Sequence, residues 1–358
     1  MLRLTVCFLI TSFLFVINVG FGRVESVASL TRLTNTPELA MNLNPTLSDD
    51  GKVVVFESSA DLAGTGANST FHAIRGELGS AFTEIGATRL VCPALSSDGK
   101  IVAFASAEDL VGQNADRNSE IFLFDGFELK QITQTEPASV TSRLTDGNFQ
   151  PSITGDGRTI AFSSNRGIFL YNTVQERFTQ LTSENLAVSP KISADGSRVY
   201  YKKDADLILI ETSNGTTHVL ATGVPNLSLT EGRAVSNDGM RLVYSALTAP
   251  NQTQVFLYEA RDNSIRQLTK LGSRVTDVGL QPTISGDGRR VAFATRRRVT
   301  NASDGGVELY VLDLPTGGVE QITTAPGTAT AEVVASLNFD GSRVAFNFPR
   351  ILSEPVSD

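Results

Sequence analysis

The chain has 358 residues, of which 41% are hydrophobic and 19% are charged, a composition typical of a folded soluble protein and not of a disordered one. Its net charge of −8 provides no attraction to a phosphate backbone, so nucleic acid is excluded as an expected partner. Trp is absent, while Thr, Ser and Gly are frequent, which favours strands and turns over helices.

Residues 1–22 have the pattern of a secretory signal. Arg3 is the only charged residue before Arg23, and a strongly apolar run lies between them. Gly20 and Gly22 suit a cut after residue 22, and Ala28 offers a second cut after residue 28. The run is shorter than the roughly 20 residues of a membrane-spanning helix, and an uncleaved membrane anchor is the alternative. We therefore expect a periplasmic or secreted protein that touches the membrane only if this segment remains.

One pattern recurs seven times after the signal: a start of the type Pro-x-Ile-Ser, an Asp-Gly turn, and a return of the type Val-Ala-Phe. Gly supplies the positive φ of a tight turn, and the Asp carboxylate can accept hydrogen bonds from turn amides. The turns are roughly 40 to 60 residues apart, which is the length of one four-stranded propeller blade. The turn residues are Asp50, Gly51, Asp98, Gly99, Asp156, Gly157, Asp195, Gly196, Asp238, Gly239, Asp287, Gly288, Asp340 and Gly341.

Two further strand patterns follow most hairpins: an apolar strand that ends in an acid or a turn residue, and a strand that ends in Gln-Ile-Thr or Gln-Leu-Thr. The repeat therefore predicts an all-β fold, a seven-bladed β-propeller that fills residues 29–352, with a tail at 353–358. Six blades are expected near 45–86, 93–133, 151–182, 190–220, 233–269 and 282–323. The seventh is expected from 334–352 plus 26–36, so that an N-terminal strand joins the C-terminal blade and closes the ring.

The succession Pro-x-Ile-Ser-x-Asp-Gly, Ile-Phe-Leu-Tyr-Asp and Gln-Leu-Thr resembles the TolB-type propeller repeat, which is similar in form to WD repeats. The resemblance covers residues 30–350 and implies a bacterial β-propeller whose loop face receives a protein partner. The α/β domain that precedes the TolB propeller has no counterpart in the sequence, so only the repeat is shared. Repeats of this type also precede peptidase domains, but the chain has no Gly-x-Ser-x-Gly elbow.

The sequence contains no recognisable catalytic motif, and we do not predict an enzyme, a cofactor or a metal. His72 and His218 fall in different predicted blades, with no Ser-His-Asp context. The oxygen side chains at Asp116-Arg-Asn118-Ser-Glu120 could converge on Ca²⁺, but a polar loop is the favoured interpretation. Outside the signal Cys92 is the one cysteine, interpreted as a small buried hydrophobe, with an exposed thiol as the alternative.

The residue just before each hairpin is expected near one mouth of the central channel. Asn44, Gln150, Ser189 and Gln281 are the polar residues at these positions, and we predict that they contact a partner. That they only hydrate the channel is the alternative. We expect a monomeric interaction or scaffold module of the cell envelope with an unidentified protein partner. The competing hypothesis is a carbohydrate-binding, hydrolase or lyase propeller, which would place carboxylates or a metal at this mouth.

Overall fold

The structure is a computed structural model and describes residues 13–18, 29–36, 40–66, 70–90, 92–137, 147–183, 186–272, 280–296, 299, 306–324 and 332–348. The predicted tail and most of the predicted signal segment lie outside the described residues. The named strands pair antiparallel throughout. Over these ranges, the chain forms no helix with the length and hydropathy that a membrane crossing requires.

The first two strands, β1 (Phe13–Asn18) and β2 (Leu30–Arg32), belong to a sheet that the last two strands complete. Six blades follow, each from one continuous segment of chain. Blade 1 contains β3 (Asn42–Leu47), β4 (Val53–Ser58), β5 (His72–Glu77) and β6 (Phe82–Ala87). Blade 2 contains β7 (Ala94–Leu95), β8 (Val102–Ser106), β9 (Glu120–Phe124) and β10 (Leu129–Gln131). Blade 3 contains β11 (Asn148–Ile153), β12 (Thr159–Ser164), β13 (Gly167–Asn172) and β14 (Arg177–Gln180).

Blade 4 contains β15 (Ala187–Ile192), β16 (Arg198–Lys203), β17 (Asp206–Glu211) and β18 (Thr217–Ala221). Blade 5 has three named strands, β19 (Arg241–Ala249), β20 (Gln252–Glu259) and β21 (Ser264–Gln267). Two isolated bridges, Val235 to Leu242 and Ser228 to Ser245, mark its inner edge. Blade 6 contains β22 (Thr283–Ile284), β23 (Arg290–Thr295), β24 (Glu308–Asp313) and β25 (Val319–Gln321). The last strands are β26 (Ala335–Leu337) and β27 (Arg343–Phe348).

The prediction of a seven-bladed ring closed by an N-terminal strand is wrong. Over the described residues six blades are present, and the seventh hairpin lies instead in a composite sheet of order β2-β1-β27-β26, built from the first two and the last two named strands. Strand β2 does not pair with β27, because β1 lies between them and pairs with both. The apolar run that contains β1 matches the pattern of a secretory signal, and this pattern does not predict a strand. Its Phe, Val and Ile residues also suit a β-strand.

The Asp-Gly hairpins share one pattern of hydrogen bonds. In blade 1, Ser48 Oγ donates to Asp50 Oδ1 at 2.7 Å, and the N–H of Lys52 donates to the same oxygen at 3.0 Å. Gly51 has φ +67°, which a residue with a Cβ rarely adopts. Burial acts to raise the pKa of Asp50, but the bonds from Lys52 and Ser48 outweigh it and hold that pKa below its ordinary value. The turn is therefore fixed by its own side chains.

Neighbouring turns are joined by backbone hydrogen bonds at the inner edges of the sheets. The N–H of Asp49 donates to the carbonyl of Ser97 at 2.9 Å, and the N–H of Ser97 donates to the carbonyl of Gly155 at 2.9 Å. The N–H of Gly155 in turn donates to the carbonyl of Ala194 at 2.8 Å. These links hold the inner strands at fixed spacing, so residues at equivalent positions of the repeat face a common centre.

The hydrophobic core lies between adjacent sheets. One cluster combines Val55 and Ala73 of blade 1 with Val102 and Phe104 of blade 2, all at most 1% exposed. The aromatic residue that ends each return strand is buried in every copy: Phe56, Phe104, Phe162, Tyr201, Tyr244, Phe293 and Phe346. Each such side chain contributes about 1.5–3 kcal/mol of hydrophobic stabilisation. The rigidity of this stack positions the inner strands.

Candidate functional site

The inner strands of blades 1 to 5 line a central cavity of about 80 Å³. The lining mixes polar residues, which include Thr46, Ser152, Lys191 and Glu231, with apolar ones such as Leu95. A water molecule occupies about 30 Å³ of liquid, so the cavity has room for a few waters or the end of one side chain.

The four predicted mouth residues share an unusual backbone conformation. Asn44, Gln150, Ser189 and Gln281 have φ values of 53°, 54°, 56° and 37°. Each is followed by a proline, and a pre-proline residue avoids the α region, so the left-handed conformation is strained. Cys92, at the equivalent position of blade 2, has φ 57°. The same strained geometry thus occurs at five equivalent positions.

A bulge accompanies this conformation. The register of the inner hairpin shifts between Leu43 and Thr46 in blade 1, between Phe149 and Ser152 in blade 3, and between Val188 and Lys191 in blade 4. Bulges re-aim side chains and occur next to binding and active sites. The repeated bulge therefore sets the direction of the mouth side chains, which are all half-buried.

The mouth residues do not form one contiguous cluster. Gln150 Oε1 accepts hydrogen bonds from the N–H of Ser189 at 2.9 Å and from Ser163 Oγ at 3.3 Å, which links blades 3 and 4. Asn44 Nδ2 donates to Glu57 Oε2 at 2.6 Å, and Gln281 Nε2 donates to Glu332 Oε1 at 2.6 Å. The structure thus joins Gln150 to Ser189 and pairs each of the other two with a carboxylate.

Sequence reasoning missed these carboxylates. Glu57 is 1% exposed and accepts hydrogen bonds from Asn44, from Thr88 Oγ1 at 2.5 Å and from the N–H of Cys92 at 3.4 Å. Burial raises its pKa, although these bonds oppose the shift. The one signal in the sequence was a departure from the repeat: the residue after the hairpin aromatic is an acid only in the first copy.

Lys191, which is buried, and Glu231, which is half-buried, form a second polar contact in the cavity. Lys191 is 6% exposed, and its Nζ donates to the backbone carbonyl of Glu231 at 2.8 Å. Burial lowers the pKa of Lys191 and raises that of Glu231; Lys191 opposes the latter shift, and Glu332 adds to it. Opposite pKa shifts in neighbouring ionisable groups are frequent at functional sites, although ion pairs with a purely structural role also show them.

An ion pair joins two blades that are not neighbours, blade 5 and blade 1. Arg233 of blade 5 donates from Nη2 to Asp49 Oδ1 of blade 1 at 2.6 Å, and Asn237 Nδ2 donates to Asp49 Oδ2 at 2.6 Å. Arg233 takes the position that proline occupies in five of the other copies. Asp49 lies in the Asp-Gly turn of blade 1, while Arg233 and Asn237 both line the cavity.

The remaining candidates lie away from this cavity or are inert within it. Cys92 is 3% exposed, and burial raises the pKa of its thiol to about 12, so the thiol stays protonated. His218 lies 4.0 Å from Glu211 on blade 4. His72 lies between Thr70 Oγ1, 2.8 Å from Nε2, and Glu84 Oε1, 2.7 Å from Nδ1.

The chain Thr70–His72–Glu84 has the order of a hydroxyl, an imidazole and a carboxylate, which the sequence analysis did not foresee. His72 is the first residue of β5, and Thr70 lies two residues before it. Alternate residues of an extended segment point to the same face, so the two side chains can meet. Glu84 lies on the adjacent strand β6. The contact therefore follows from strand geometry alone, and Thr70 is exposed on the outside of blade 1.

No family model and no curated protein matches the chain. Solved structures do match. An oligogalacturonate lyase in complex with manganese is 13% identical, with a TM-score of 0.59, over 97% of this chain and 98% of that one. The β-propeller domain of the Trilobed protease from Pyrococcus furiosus is 15% identical, with a TM-score of 0.56, over 88% of this chain and 99% of that one. TolB from Acinetobacter baumannii is 16% identical, with a TM-score of 0.47, over 88% and 80%. At such identities the likeness shows the propeller fold and does not carry an activity.

Proposed function

We propose that this protein is an exported interaction module of the cell envelope that holds a protein partner at the mouth residues Asn44, Gln150, Ser189 and Gln281. The observation that carries the proposal is the strained left-handed backbone at each of these positions. Such strain costs about 1–3 kcal/mol per residue and persists where the surrounding structure enforces it, most often at binding sites. Export rests on the pattern of the first 22 residues.

The chemistry around the mouth favours a partner with a basic side chain. Glu332 pairs with Gln281, and the pKa of Glu231 is raised by burial and also by the nearby charge of Glu332. The central cavity, whose lining includes Lys191 and Glu231, has room for the end of one side chain. A lysine or arginine of an extended segment can place its charge beside these carboxylates while the segment bonds to the amides of Gln150 and Gln281.

The test is a pull-down from envelope extract with the protein in the form in which cells export it, identified by mass spectrometry. The variant carries Asn44→Arg, Gln150→Arg and Gln281→Arg. The matched control carries Gln175→Arg, Asn214→Arg and Thr216→Arg, three exposed positions on the outer turns, with the same change in charge. We expect one stoichiometric partner that the wild type and the control retain and the mouth variant loses. A partner that the mouth variant retains places binding elsewhere and contradicts the proposal.

A second candidate function is supported by the carboxylates near the mouth and by the Lys191–Glu231 pair. A channel-mouth enzyme acting on acidic sugars needs a positioned base, and a buried lysine with a lowered pKa can serve as one. The test is turnover of uronic-acid oligosaccharides by the pure protein and by Lys191→Met. Turnover that depends on Lys191 replaces the interaction proposal with the enzyme. A pure protein without turnover leaves the interaction module as the proposal.

A further inference from the structure

The loop between β8 and β9 of blade 2 carries oxygen-bearing side chains at alternate positions: Asn114, Asp116, Asn118 and Glu120. Alternation of this kind is how short loops direct several oxygens at one cation. The sequence alone favoured a plain polar loop for residues 116–120. The structure adds independent observations that point to a ligand.

Two amide oxygens of this loop are buried without a partner. Asn114 is 1% exposed and Asn118 is 0% exposed, and neither Oδ1 has a hydrogen bond within the described ranges. Their nitrogens are committed, because Asn114 Nδ2 donates to the carbonyl of Asn118 at 3.0 Å and Asn118 Nδ2 donates to the carbonyl of Thr135. Turning either amide round would break these bonds. The two oxygens therefore remain acceptors, and a buried acceptor without a partner is unfavourable.

Asn114 lines a hollow at the protein surface, and further oxygen-bearing side chains line it too. Asn114, Asp116, Glu120 and Gln131 all line it. Gln131 Oε1 is a third buried acceptor without a partner among the described residues. The orientation of this amide is fixed, because Nε2 donates to the carbonyls of Gln113 and Thr133. Asp116 is half-buried, and its carboxylate makes no hydrogen bond or ion pair with another described residue.

Glu120 brings a second carboxylate to the wall of the hollow. It is 1% exposed and accepts hydrogen bonds from Thr133 Oγ1, from the N–H of Thr135 at 2.5 Å and from Asn148 Nδ2 at 2.8 Å. It is therefore held in place and contributes charge rather than a free oxygen. Asp116 is the carboxylate left available for a ligand.

We propose that this hollow binds one Ca²⁺ through Asp116 and the amide oxygens of Asn114 and Gln131. Oxygen ligands in a flexible loop suit Ca²⁺, whereas Zn²⁺ prefers nitrogen and sulfur, and Mg²⁺ demands a stricter octahedron. Within the described part of the chain no three His, Cys, Asp or Glu side chains are grouped to hold a metal. A site with mostly neutral ligands binds weakly, and we expect a dissociation constant of about 0.1–1 mM, as in extracellular Ca²⁺ modules. The ion would tie the loop to the end of β10, independently of the function proposed above.

The test uses the full-length protein, stripped with EDTA and dialysed, and titrated with Ca²⁺ in a calorimeter. We expect one Ca²⁺ per chain, a higher melting temperature in millimolar Ca²⁺, and a smaller rise in equal Mg²⁺. Asp116→Asn should weaken binding about ten-fold or more, because it removes the one charged ligand. The control Glu128→Gln removes an exposed carboxylate of the same blade, outside the hollow, and should bind like the wild type.

Two results would overturn the proposal. If the wild type shows neither heat nor a shift in melting temperature, the amide oxygens are satisfied by water. If Asp116→Asn binds Ca²⁺ as tightly as the wild type, the ion sits elsewhere. The wild-type titration does not depend on the folding of any variant, so a poorly folded variant cannot protect the proposal.

Discussion

Glu57 is a buried acid at a position where no other copy of the repeat has one. The equivalent residues are Ala105, Ser163, Lys202, Ser245, Ala294 and Asn347. Because burial raises the pKa of Glu57, the carboxyl is better tolerated protonated than ionised. Its favourable contribution to stability is fully present below its ordinary pKa of 4.5 and is lost as the pH rises through the raised value.

We therefore predict that Glu57→Gln flattens the dependence of stability on pH. The free energy of unfolding should fall less between pH 5 and pH 8 in the variant than in the wild type, and the difference reports the shift at about 1.4 kcal/mol per pKa unit. Urea unfolding at the two pH values measures it. Glu77→Gln, the same change at an exposed residue of blade 1, is the control. Equal slopes for the wild type and Glu57→Gln would contradict the prediction.

At the scale of the structural element, the Asp-Gly turn also serves as a contact between blades. Gly99 of blade 2 has φ +75°, and a Cβ on it would lie 2.6 Å from Cβ of Val53 in blade 1. Gly215, in the outer turn of blade 4, has φ +72° and nothing within 4 Å of such a Cβ. The two glycines share a backbone conformation and differ in packing.

We predict that Gly99→Ala is more destabilising than Gly215→Ala. Both should lose about 1–2 kcal/mol from the left-handed conformation, and Gly99→Ala should lose about 1–3 kcal/mol more from overpacking against Val53. Chemical denaturation of the two variants measures the difference. Equal losses would show that the turn of blade 2 relaxes away from blade 1 without strain.

The sequence predicts the elements where a local pattern specifies them. The Asp-Gly turns lie where the repeat predicts them, between the first two strands of blades 1, 2, 3, 4 and 6, because their chemistry is complete within about ten residues. The composite sheet was not predictable in this way, since pairing between β1 and β27 joins opposite ends of the chain. At the candidate site, the repeat located Gln150 and Gln281, but not Glu231 or Glu332, which lie outside the motif. The cross-blade pair Arg233–Asp49 likewise depends on the ring and not on sequence spacing.

At the scale of the whole molecule, the composite sheet links stability to processing. Strand β1 pairs with β2 at three positions and with β27 at six. A chain that begins at residue 29 lacks β1, so we predict that it melts at a lower temperature than the full chain, by about 2–4 °C for each kcal/mol lost. Calorimetry of both forms measures this, and intact mass of the protein isolated from cells shows which form cells contain. Identical melting temperatures would mean that β1 contributes nothing to the fold.

The position of β1 has a consequence for assembly. Strands β27 and β2 each use one edge to pair with β1 and do not pair with each other. If export removes β1, both edges lose their partner at once, and a slot one strand wide opens in the sheet. Such a slot is a template for strand addition, in which a segment of another chain supplies the missing hydrogen bonds. Cleavage that removes β1 would then act as a maturation step that converts a chain with a complete sheet into an acceptor for a foreign strand.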